Sequence, residues 1–265
     1  MAEETYPVIV LGMPTGSLGG RVDPEALARG TAMKATNGKY AVLPHVCQSS
    51  LLCHSFNTLW AGSLNMRTDR KIKYFAMIHD DICPEAGWLD TLIGEMEKYD
   101  ADVVSAVVPI KEPTGVTSTA IDVTNDEWSP RRYTLKELWR MPETFTHERI
   151  LLNSGLWVCK FDGDWQEKVW FEQHDRIVML PNGKWSSDTK SEDWEFSRTL
   201  RKHGLKLYAT RKVQLEHERA EWHTRFPWGL WDTDKMCEQG HHGVMSIPLG
   251  VTAAIPPPVA DPVAA

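Results

Sequence analysis

The sequence predicts an α/β protein: a single domain in which helices flank a mixed, mostly parallel β-sheet. Short β-branched apolar runs alternate along the chain with segments whose apolar residues recur at helical spacing. This alternation is typical of a parallel sheet covered on both faces. A length of 265 residues suits one large domain, and a hydrophobic fraction of 42% is enough for a substantial core.

The first part of the chain has the clearest elements. Apolar runs ended by glycine or proline predict strands, and apolar residues at helical spacing predict helices. Proline is favoured at the first position of a helix, so we expect Pro84 to begin one. The expected elements are a strand at residues 6–11, a helix at residues 51–64, a strand at Ile72–Ile78, a helix from Pro84 with Leu89, Leu92, Ile93 and Met96 buried, and a strand at residues 102–108.

The second part is less regular. Residues 111–135 are rich in Thr, Pro, Asp and Arg, and we expect a long surface excursion there. Residues 162–190 are polar and Trp-rich, with turn signals at Asp162-Gly163 and Asn182-Gly183. The other expected elements are a strand at Leu156–Lys160, a helix from about Glu192 to a glycine cap at Gly204, and strands at residues 205–209 and 212–215.

Charge and cysteine content narrow the function classes. A net charge of -7 excludes a global basic field for nucleic acid. Two local basic stretches remain, and each is either a solvated face or a contact for a phosphate-bearing acceptor. They comprise Arg198, Arg201, Lys202, Lys206, Arg211 and Lys212, and then Arg67, Arg70, Lys71 and Lys73.

The cysteines and the N-terminus bear on location. Five cysteines, an odd number without a C-x-x-C pair, favour a reducing compartment. No apolar run approaches the length of a membrane span, and the acidic N-terminus does not look like a signal peptide. We therefore expect a soluble cytoplasmic protein without a membrane partner, and we make no prediction of its oligomeric state.

His79, Asp80 and Asp81 directly follow the predicted strand Ile72–Ile78. In an open α/β sheet, ligands bind beyond the carboxyl ends of the strands. Adjacent carboxylates at that place can hold Mg²⁺ or Mn²⁺, which prefer oxygen ligands and keep positions open for phosphate. The alternative is that Asp81 only caps the helix predicted from Pro84.

Two further sites are ambiguous when taken alone. Glu192 and Asp193 begin a predicted helix, where a carboxylate tends to stay ionised and can act as a general base. His217 lies at the end of a late strand, and a neutral imidazole is a good ligand for Mn²⁺. However, acids in a first helical turn commonly just stabilise the helix, and this chain has 10 histidines.

Three runs, taken in order, resemble the GT-A glycosyltransferases, in particular small members from phages and bacteria. FAMIHDDICPEAGWLDTLIGEME resembles their DxD segment, and LLNSGLWVCKF resembles their glycine-containing segment near the donor sugar. SEDWEFSRTLRKHGLKLYATRKVQLEH resembles their acidic catalytic helix followed by the metal-binding histidine. The resemblance covers roughly residues 6–218 and implies a GT-A fold.

The resemblance implies a metal-dependent enzyme that transfers a sugar from a nucleotide-sugar, expected to be a UDP-sugar, to an acceptor hydroxyl. Asp81 and His217 would bind Mn²⁺ or Mg²⁺. His79 stands where many relatives have Asp or Glu, so its part in metal binding is open. Asp193 would be the general base, with Glu192 assisting or orienting. The donor-binding residues implied are Pro14, Thr15, Gly16, Asn57, Asp80, Asn153, Ser154 and Gly155.

The resemblance also divides the chain. Residues 1–218 would form the catalytic core, with nucleotide-sugar binding at roughly 6–110 and the acceptor and catalytic part at roughly 150–218. Residues 219–246 would be an irregular acceptor-side segment. Residues 247–265 are Pro/Ala-rich and are expected to be disordered.

Several alternatives stay open. The acceptor could be a hydroxymethylated base such as 5-hydroxymethylcytosine in phage DNA, which would have to leave the helix to react. It could equally be a glycan or a small molecule. A nucleotidyltransferase would normally carry a glycine-rich phosphate loop with a lysine after the first strand, and the run GMPTGSLGG has no lysine there. A non-catalytic nucleotide-sugar or carbohydrate binding module is favoured only by His79.

Overall fold

The computed structural model describes residues 6–16, 23–111, 115–123, 126–219 and 224–225. Its strands are β1 (Val8–Thr15), β2 (Ala41–Gln48), β3 (Ile72–Ile78), β4 (Ile82–Pro84), β5 (Val103–Ala106), β6 (Val116–Ile121), β7 (Arg131–Thr134), β8 (Thr144–Phe145), β9 (Ile150–Leu151), β10 (Leu156–Lys160), β11 (His174–Met179), β12 (Trp185–Lys190), β13 (Leu207–Thr210), β14 (Leu215–Arg219) and β15 (Thr224–Arg225). Its helices are α1 (Pro24–Ala35), α2 (Leu52–Met66), α3 (Trp88–Lys98), α4 (Leu135–Leu138) and α5 (Glu192–Lys202), with a 3₁₀ helix at Trp165–Lys168.

A seven-stranded sheet in the order β2-β1-β3-β10-β5-β13-β8 forms the centre. Five of the seven strands run in one direction, because only β10 and β8 pair antiparallel with their neighbours. The predicted α/β class with a mixed, mostly parallel sheet flanked by helices is therefore confirmed. Since β10 runs against β3, its first residue Leu156 lies opposite the last residue of β3, Ile78. The segment that precedes β10 thus reaches the same sheet edge as the carboxyl ends of β1, β3 and β5.

An aromatic cluster joins this sheet to helices α2 and α5. The Phe171 and Phe196 rings stack with centroids 4.0 Å apart, and the Trp60 ring meets Phe75 edge-on at 5.0 Å. The indole N–H of Trp60 donates to the carbonyl of Gln166 at 2.9 Å, so burial of this ring leaves no unpaired donor. The cluster fixes α5, and with it the acidic residues at its start, against the central sheet.

Three smaller sheets surround the central one. β4, β14 and β15 form one, β6, β7 and β9 another, and β11 and β12 a hairpin. The hairpin turn contains Gly183 with φ of 78°, as the Asn182-Gly183 signal predicts. The pairing of β4 with β14 sets His217 opposite Ile82, next to the acidic residues that follow β3.

The predicted helix from Pro84 is wrong. Pro84 is the last residue of β4, where it lies opposite Leu215 of β14, and α3 begins only at Trp88. Gly87 precedes that helix with φ of 78°, a conformation in which glycine carries no steric penalty. A strand partner far away in sequence outweighs the local preference of proline. The predicted buried face of the helix, Leu89, Leu92, Ile93 and Met96, is confirmed.

The surface excursion expected at residues 111–135 is also wrong where the structure describes it. β6 is buried at most positions and pairs with β7 and β9. Its polar side chains are satisfied inside: the Thr117 hydroxyl donates to the Tyr133 carbonyl at 2.9 Å, and the Ser118 hydroxyl donates to the Val108 carbonyl at 2.9 Å. Polar residues with internal partners look like surface residues in the sequence.

Two strand boundaries also differ from expectation. β1 does not end at residue 11 but continues through Gly12 and Pro14 to Thr15. Beyond Gly12 it pairs with β2 alone, and a strand with one free side can accommodate a proline. The last expected strand, residues 212–215, is displaced, because β14 begins at Leu215 and contains His217 in its interior.

The expected acceptor-side segment at 219–246 and the expected disordered tail at 247–265 lie outside the described residues, apart from the end of β14 and the short strand β15. Within the described part of the chain, every helix is too short or too polar to cross a membrane.

Candidate active site

The carboxyl edge of the central sheet gathers most of the predicted site residues. Pro14, Thr15 and Gly16 lie at the end of β1, and His79, Asp80 and Asp81 follow β3. Asn153, Ser154 and Gly155 precede β10, and the backbone N–H of His79 donates to the carbonyl of Gly155 at 2.9 Å. Segments far apart in sequence therefore meet where open α/β sheets bind their ligands.

Asp81 and His217 face each other across β4 and β14. The Nε2 atom of His217 lies 3.6 Å from Oδ1 of Asp81. The other ring nitrogen, Nδ1, is 2.7 Å from the Pro109 carbonyl oxygen. Because a carbonyl oxygen can only accept, Nδ1 carries a proton, and Nε2 is the nitrogen directed to the carboxylate. The second carboxylate oxygen of Asp81, Oδ2, accepts a hydrogen bond from Lys111.

His79 lies beneath this pair. It is half-buried, and burial lowers the pKa of its imidazole to about 4, so the ring is neutral at pH 7. Its centroid is 5.2 Å from the Phe56 ring, and Nε2 has no hydrogen-bond partner among the described residues. Gly155 allows this close packing, because a Cβ atom there would lie 2.6 Å from Cδ1 of Ile82 and 3.9 Å from Nδ1 of His79.

The two carboxylates that follow β3 differ in their electrostatics. Burial alone would raise the pKa of Asp81, but the neighbouring His217, His79 and Lys111 side chains hold it well below its ordinary range. Burial, and then the charge of Asp81, raise the pKa of Asp80 to about 6. Asp81 is therefore ionised at neutral pH, as a cation ligand must be, while Asp80 lies closer to protonation.

A hard divalent cation fits the Asp81–His217 pair. Oδ1 of Asp81 is buried without a hydrogen-bond partner, and Nε2 of His217 is directed to it. The described residues contain no group of three or more His, Cys, Asp or Glu arranged to hold a metal ion. A two-ligand site still suits Mg²⁺ or Mn²⁺, because these ions commonly take their other ligands from water and phosphate.

Glu192 and Asp193 form the first turn of α5. Oδ1 of Asp193 accepts hydrogen bonds from the Ser191 hydroxyl and from the Trp194 N–H, the latter at 2.8 Å. Burial raises the pKa of Asp193. Burial, and then the charge of Asp193, raise the pKa of Glu192 to about 7. Glu192 thus titrates near neutral pH, and the raised pKa of Asp193 makes it a stronger base than an exposed aspartate.

The start of α5 is held beside the segment before β10. The Ser197 hydroxyl accepts from the Leu152 N–H at 2.9 Å and donates to the Asp193 carbonyl at 2.9 Å. Asp193, Asn153 and Ser154 line one small cavity at this junction. The predicted base and the predicted sugar-binding segment are thus neighbours.

Two predicted donor-binding amides shape the site through internal hydrogen bonds. Asn57 pairs with the backbone of Phe171, accepting from its N–H at 2.8 Å and donating to its carbonyl at 2.8 Å. Asn153 accepts from the Gly155 N–H at 3.0 Å and donates to the Ser105 hydroxyl at 2.9 Å. Donor contacts by these side chains remain a prediction.

Asn57→Ala is expected to lower the free energy of unfolding by about 1–3 kcal/mol, because both backbone groups of Phe171 lose their partner. Affinity for a nucleoside diphosphate should stay within about twofold, since the amide is already engaged. Thermal unfolding and a nucleotide titration measure the two effects. The exposed Asn65 on the same helix is the matched control, as Asn65→Ala should change neither. A large loss of affinity without loss of stability would instead favour a donor contact by Asn57.

The sequence interpretation missed Lys111. It lies just beyond the carboxyl end of β5, at the same edge as Asp81. The rule that singled out the residues after β3 would have found it if applied to β5 as well, but residues 111–135 were assigned to a surface excursion.

The basic stretch from Arg198 to Lys212 is only partly solvated, because Arg198 and Arg211 are buried while Lys202 and Lys206 are exposed. Arg198 is only 3% exposed and pairs with Asp122 at 2.6 Å, and Arg201 reaches the same carboxylate at 2.8 Å. Lys206 pairs with Asp100, Lys212 pairs with Glu95, and Arg211 donates to the Met141 carbonyl. Most of these basic residues are therefore engaged with partners inside the protein.

The sequence matches no known protein-family model and no curated protein. Among solved structures, the crystal structure of A197 from STIV is similar, with a TM-score of 0.46 and 14% sequence identity over 80% of this chain and 86% of that one. A similarity of this size carries no inference about activity.

Proposed function

We propose that this chain is a GT-A glycosyltransferase that moves a sugar from a nucleotide-sugar, first of all a UDP-sugar, to an acceptor hydroxyl. The observation that carries the proposal is the meeting of two unlike sites at one sheet edge. The ionised Asp81 faces His217 Nε2 at 3.6 Å, and the half-buried Glu192 and Asp193 both have a raised pKa, that of Glu192 about 7. The segment before β10 touches both sites, through His79 at one end and the cavity beside Asp193 at the other.

The first site suits the leaving group. Asp81 and His217 would hold Mn²⁺ or Mg²⁺, which when bound neutralises the negative charge that grows on the diphosphate oxygens. Asp81 is held ionised, and the Pro109 carbonyl orients His217. In this proposal Asp80 faces the ribose or the donor sugar, and Pro14, Thr15 and Gly16 contact the nucleobase and ribose.

The second site suits the nucleophile. Asp193 accepts the proton of the acceptor hydroxyl while the hydroxyl oxygen bonds to the anomeric carbon. The bond between that carbon and the diphosphate breaks, and its electron pair passes to the diphosphate. Its raised pKa makes it a stronger base than an exposed aspartate. Burial is what raises that pKa, and the charge of Asp193 in turn raises the pKa of Glu192 beside it. One base serves an inverting displacement, whereas retention would need a different arrangement.

The identity of the acceptor is the most detailed part of the proposal. A hydroxymethylated DNA base rests on the resemblance to phage enzymes and on residues after His217, most of which lie outside the described part. Of the basic stretch, the exposed Lys202 and Lys206 are what can still support it. A glycan or small-molecule acceptor is favoured by Trp170 and Trp185, which are 55% and 69% exposed and offer flat faces for a sugar ring.

The test is a transfer assay with Mn²⁺, a panel of nucleotide-sugars and three acceptor classes: hydroxymethylated DNA, oligosaccharides and small hydroxylated molecules. Mass spectrometry on the acceptors and analysis of the released nucleotide give the result. Release of a nucleoside diphosphate with a hexose added to one acceptor supports the proposal. Release of pyrophosphate would indicate a nucleotidyltransferase, and tight binding without consumption of any donor would indicate a binding module.

The transfer rate is expected to rise with pH through about pH 7, because the Glu192–Asp193 pair must lose a proton before it can take one from the acceptor. Glu192→Gln should move this rise to lower pH. The pKa of about 7 belongs to Glu192, where the charge of Asp193 adds to burial, and the variant removes this titration, whereas Asp193 keeps a pKa raised by burial. A kcat/KM profile from pH 5 to 9 for both proteins measures the shift. A rise at the same pH in the variant would show that the two carboxylates do not interact.

A further inference from the structure

Lys111 occupies an unusual position for a surface lysine. Its ammonium group bonds to Oδ2 of Asp81, the carboxylate whose other oxygen faces His217. Both side chains are partly open to solvent, with 35% of Lys111 and 30% of Asp81 exposed. A ligand can therefore reach this ion pair from outside.

Two positive groups, the Lys111 ammonium and a bound divalent cation, would compete for the negative charge of the Asp81 carboxylate. The ammonium group of Lys111 makes an ion pair with Oδ2 of Asp81 and so already offsets part of the carboxylate charge. A divalent cation between Asp81 and His217 would draw on the same negative charge. Lys111 and the cation therefore weaken each other's binding to Asp81 as long as Asp81 is the negative group that both of them contact.

We propose that Lys111 is a phosphate-binding residue. When a divalent cation binds between Asp81 and His217, the Lys111 ammonium group moves away from Asp81 and binds the donor diphosphate instead. This inference rests on the proposed function, because it gives the diphosphate as the ligand. The cation replaces the ammonium as the partner of Asp81, and a phosphate oxygen replaces Asp81 as the partner of Lys111. Each charged group keeps an opposite charge at hydrogen-bond distance through the exchange.

The exchange also meets the demand of the reaction. As the bond between sugar and diphosphate breaks, its electron pair goes to the diphosphate oxygen, which gains a negative charge. Asp81 has already offset part of the charge of the cation. When Lys111 binds the same phosphate, its positive charge makes up for the part of the cation charge that Asp81 offsets. It acts by charge alone, without transferring a proton.

The experiment uses the whole chain as wild type, Lys111→Gln and Lys111→Arg. The first titration follows Mn²⁺ alone by electron paramagnetic resonance. The second follows UDP and then UMP in saturating Mn²⁺ by calorimetry. Lys206→Gln is the matched control, because Lys206 makes an ion pair with Asp100 near the amino end of β5, at the opposite edge of the sheet. Melting temperatures check that each variant is folded.

Two changes of opposite sign are expected for Lys111→Gln. Mn²⁺ alone should bind more tightly, because its competitor for Asp81 is absent. UDP with Mn²⁺ should bind about 10- to 100-fold more weakly, as expected when a charged hydrogen bond is lost, and UMP should be affected less. Lys111→Arg should restore most of the UDP affinity, and Lys206→Gln should match wild type.

The failures can be told apart. If wild type binds UDP with Mn²⁺ and Lys111→Gln binds it equally well, the role of Lys111 is overturned while the proposed function stands. A fall in Mn²⁺ affinity in Lys111→Gln would likewise overturn it, since a competing lysine cannot have this effect. If wild type binds neither UDP nor another nucleoside diphosphate with Mn²⁺, the proposed function and the role of Lys111 are both overturned.

Discussion

Asp193→Asn is expected to reduce sugar transfer by about 10²- to 10⁴-fold, the usual effect of losing a general base. Asparagine has almost the same shape, and its amide oxygen can still accept from the Ser191 hydroxyl and the Trp194 N–H. The start of α5 should therefore keep its structure. What disappears is the oxygen that takes the proton, so affinity for the nucleotide-sugar and for Mn²⁺ should stay close to wild type.

Single-turnover transfer with saturating donor, together with donor titration, separates the chemical step from binding. Glu192→Gln is the informative comparison, because Glu192 is adjacent to Asp193 and both carboxyl groups have a pKa raised by burial. We expect a smaller loss there, with the shift in pH dependence described above. Near-normal transfer by Asp193→Asn together with an inactive Glu192→Gln would exchange the two roles.

The elements predicted well are those whose evidence is local. β3 and β10 have the predicted bounds, and α2 and α5 begin within a residue of expectation. Each is marked by a run of β-branched or aromatic residues, or by large apolar residues at helical spacing. Gly204 ends the region of α5 with φ of 75°, which is the conformation that a glycine cap provides.

α1 and β2 have no such sequence pattern, and they were not predicted from the sequence. The buried residues of α1 are Ala28, Ala32 and Ala35, so its apolar face does not stand out from its surroundings. β2 lies at the edge of the central sheet and is half-buried at nearly every position, so its residues do not alternate between apolar and polar. Both elements are stabilised mainly by packing on neighbours that single-residue patterns do not show.

The candidate site was predictable to the extent that strand ends are predictable. Finding the end of β3 was enough to place His79, Asp80 and Asp81 at the ligand edge. The partners of Asp81 come from elsewhere: His217 arrives through the pairing of β4 with β14, and Lys111 through the end of β5. Such convergence depends on sheet order, which local patterns do not contain.

The basic stretch between Arg198 and Lys212 also shows that contacts between distant parts of the chain cannot be predicted from local sequence patterns. Between Arg198 and Lys212 the sequence contains no acid, so it looks like a positive surface. The neutralising partners, Asp122 for Arg198 and Glu95 for Lys212, are far away in the chain. Buried or half-buried basic residues are almost always paired, but the sequence alone does not say with what.

Asp81→Ala and His217→Ala are each expected to reduce Mn²⁺-dependent transfer by at least about 100-fold, since a catalytic cation contributes several kcal/mol to the stabilisation of transition-state charge. Among the described residues, Asp81 supplies the carboxylate oxygen that lies 3.6 Å from Nε2 of His217, and His217 supplies the nitrogen. With two protein ligands, loss of either leaves one, which cannot hold the ion at micromolar concentrations.

Mn²⁺ titration by electron paramagnetic resonance gives a readout that does not depend on turnover, and both variants should show weaker Mn²⁺ binding than wild type. The two should differ in one respect. Asp81→Ala also removes the partner of Lys111, so its melting temperature should respond to the loss of an ion pair, whereas His217→Ala leaves that pair in place. His203→Ala is the control, because this exposed histidine ends α5 outside the site. Wild-type transfer in excess chelator, or Mn²⁺ binding that survives both substitutions, would show that the catalytic cation is not held by Asp81 and His217.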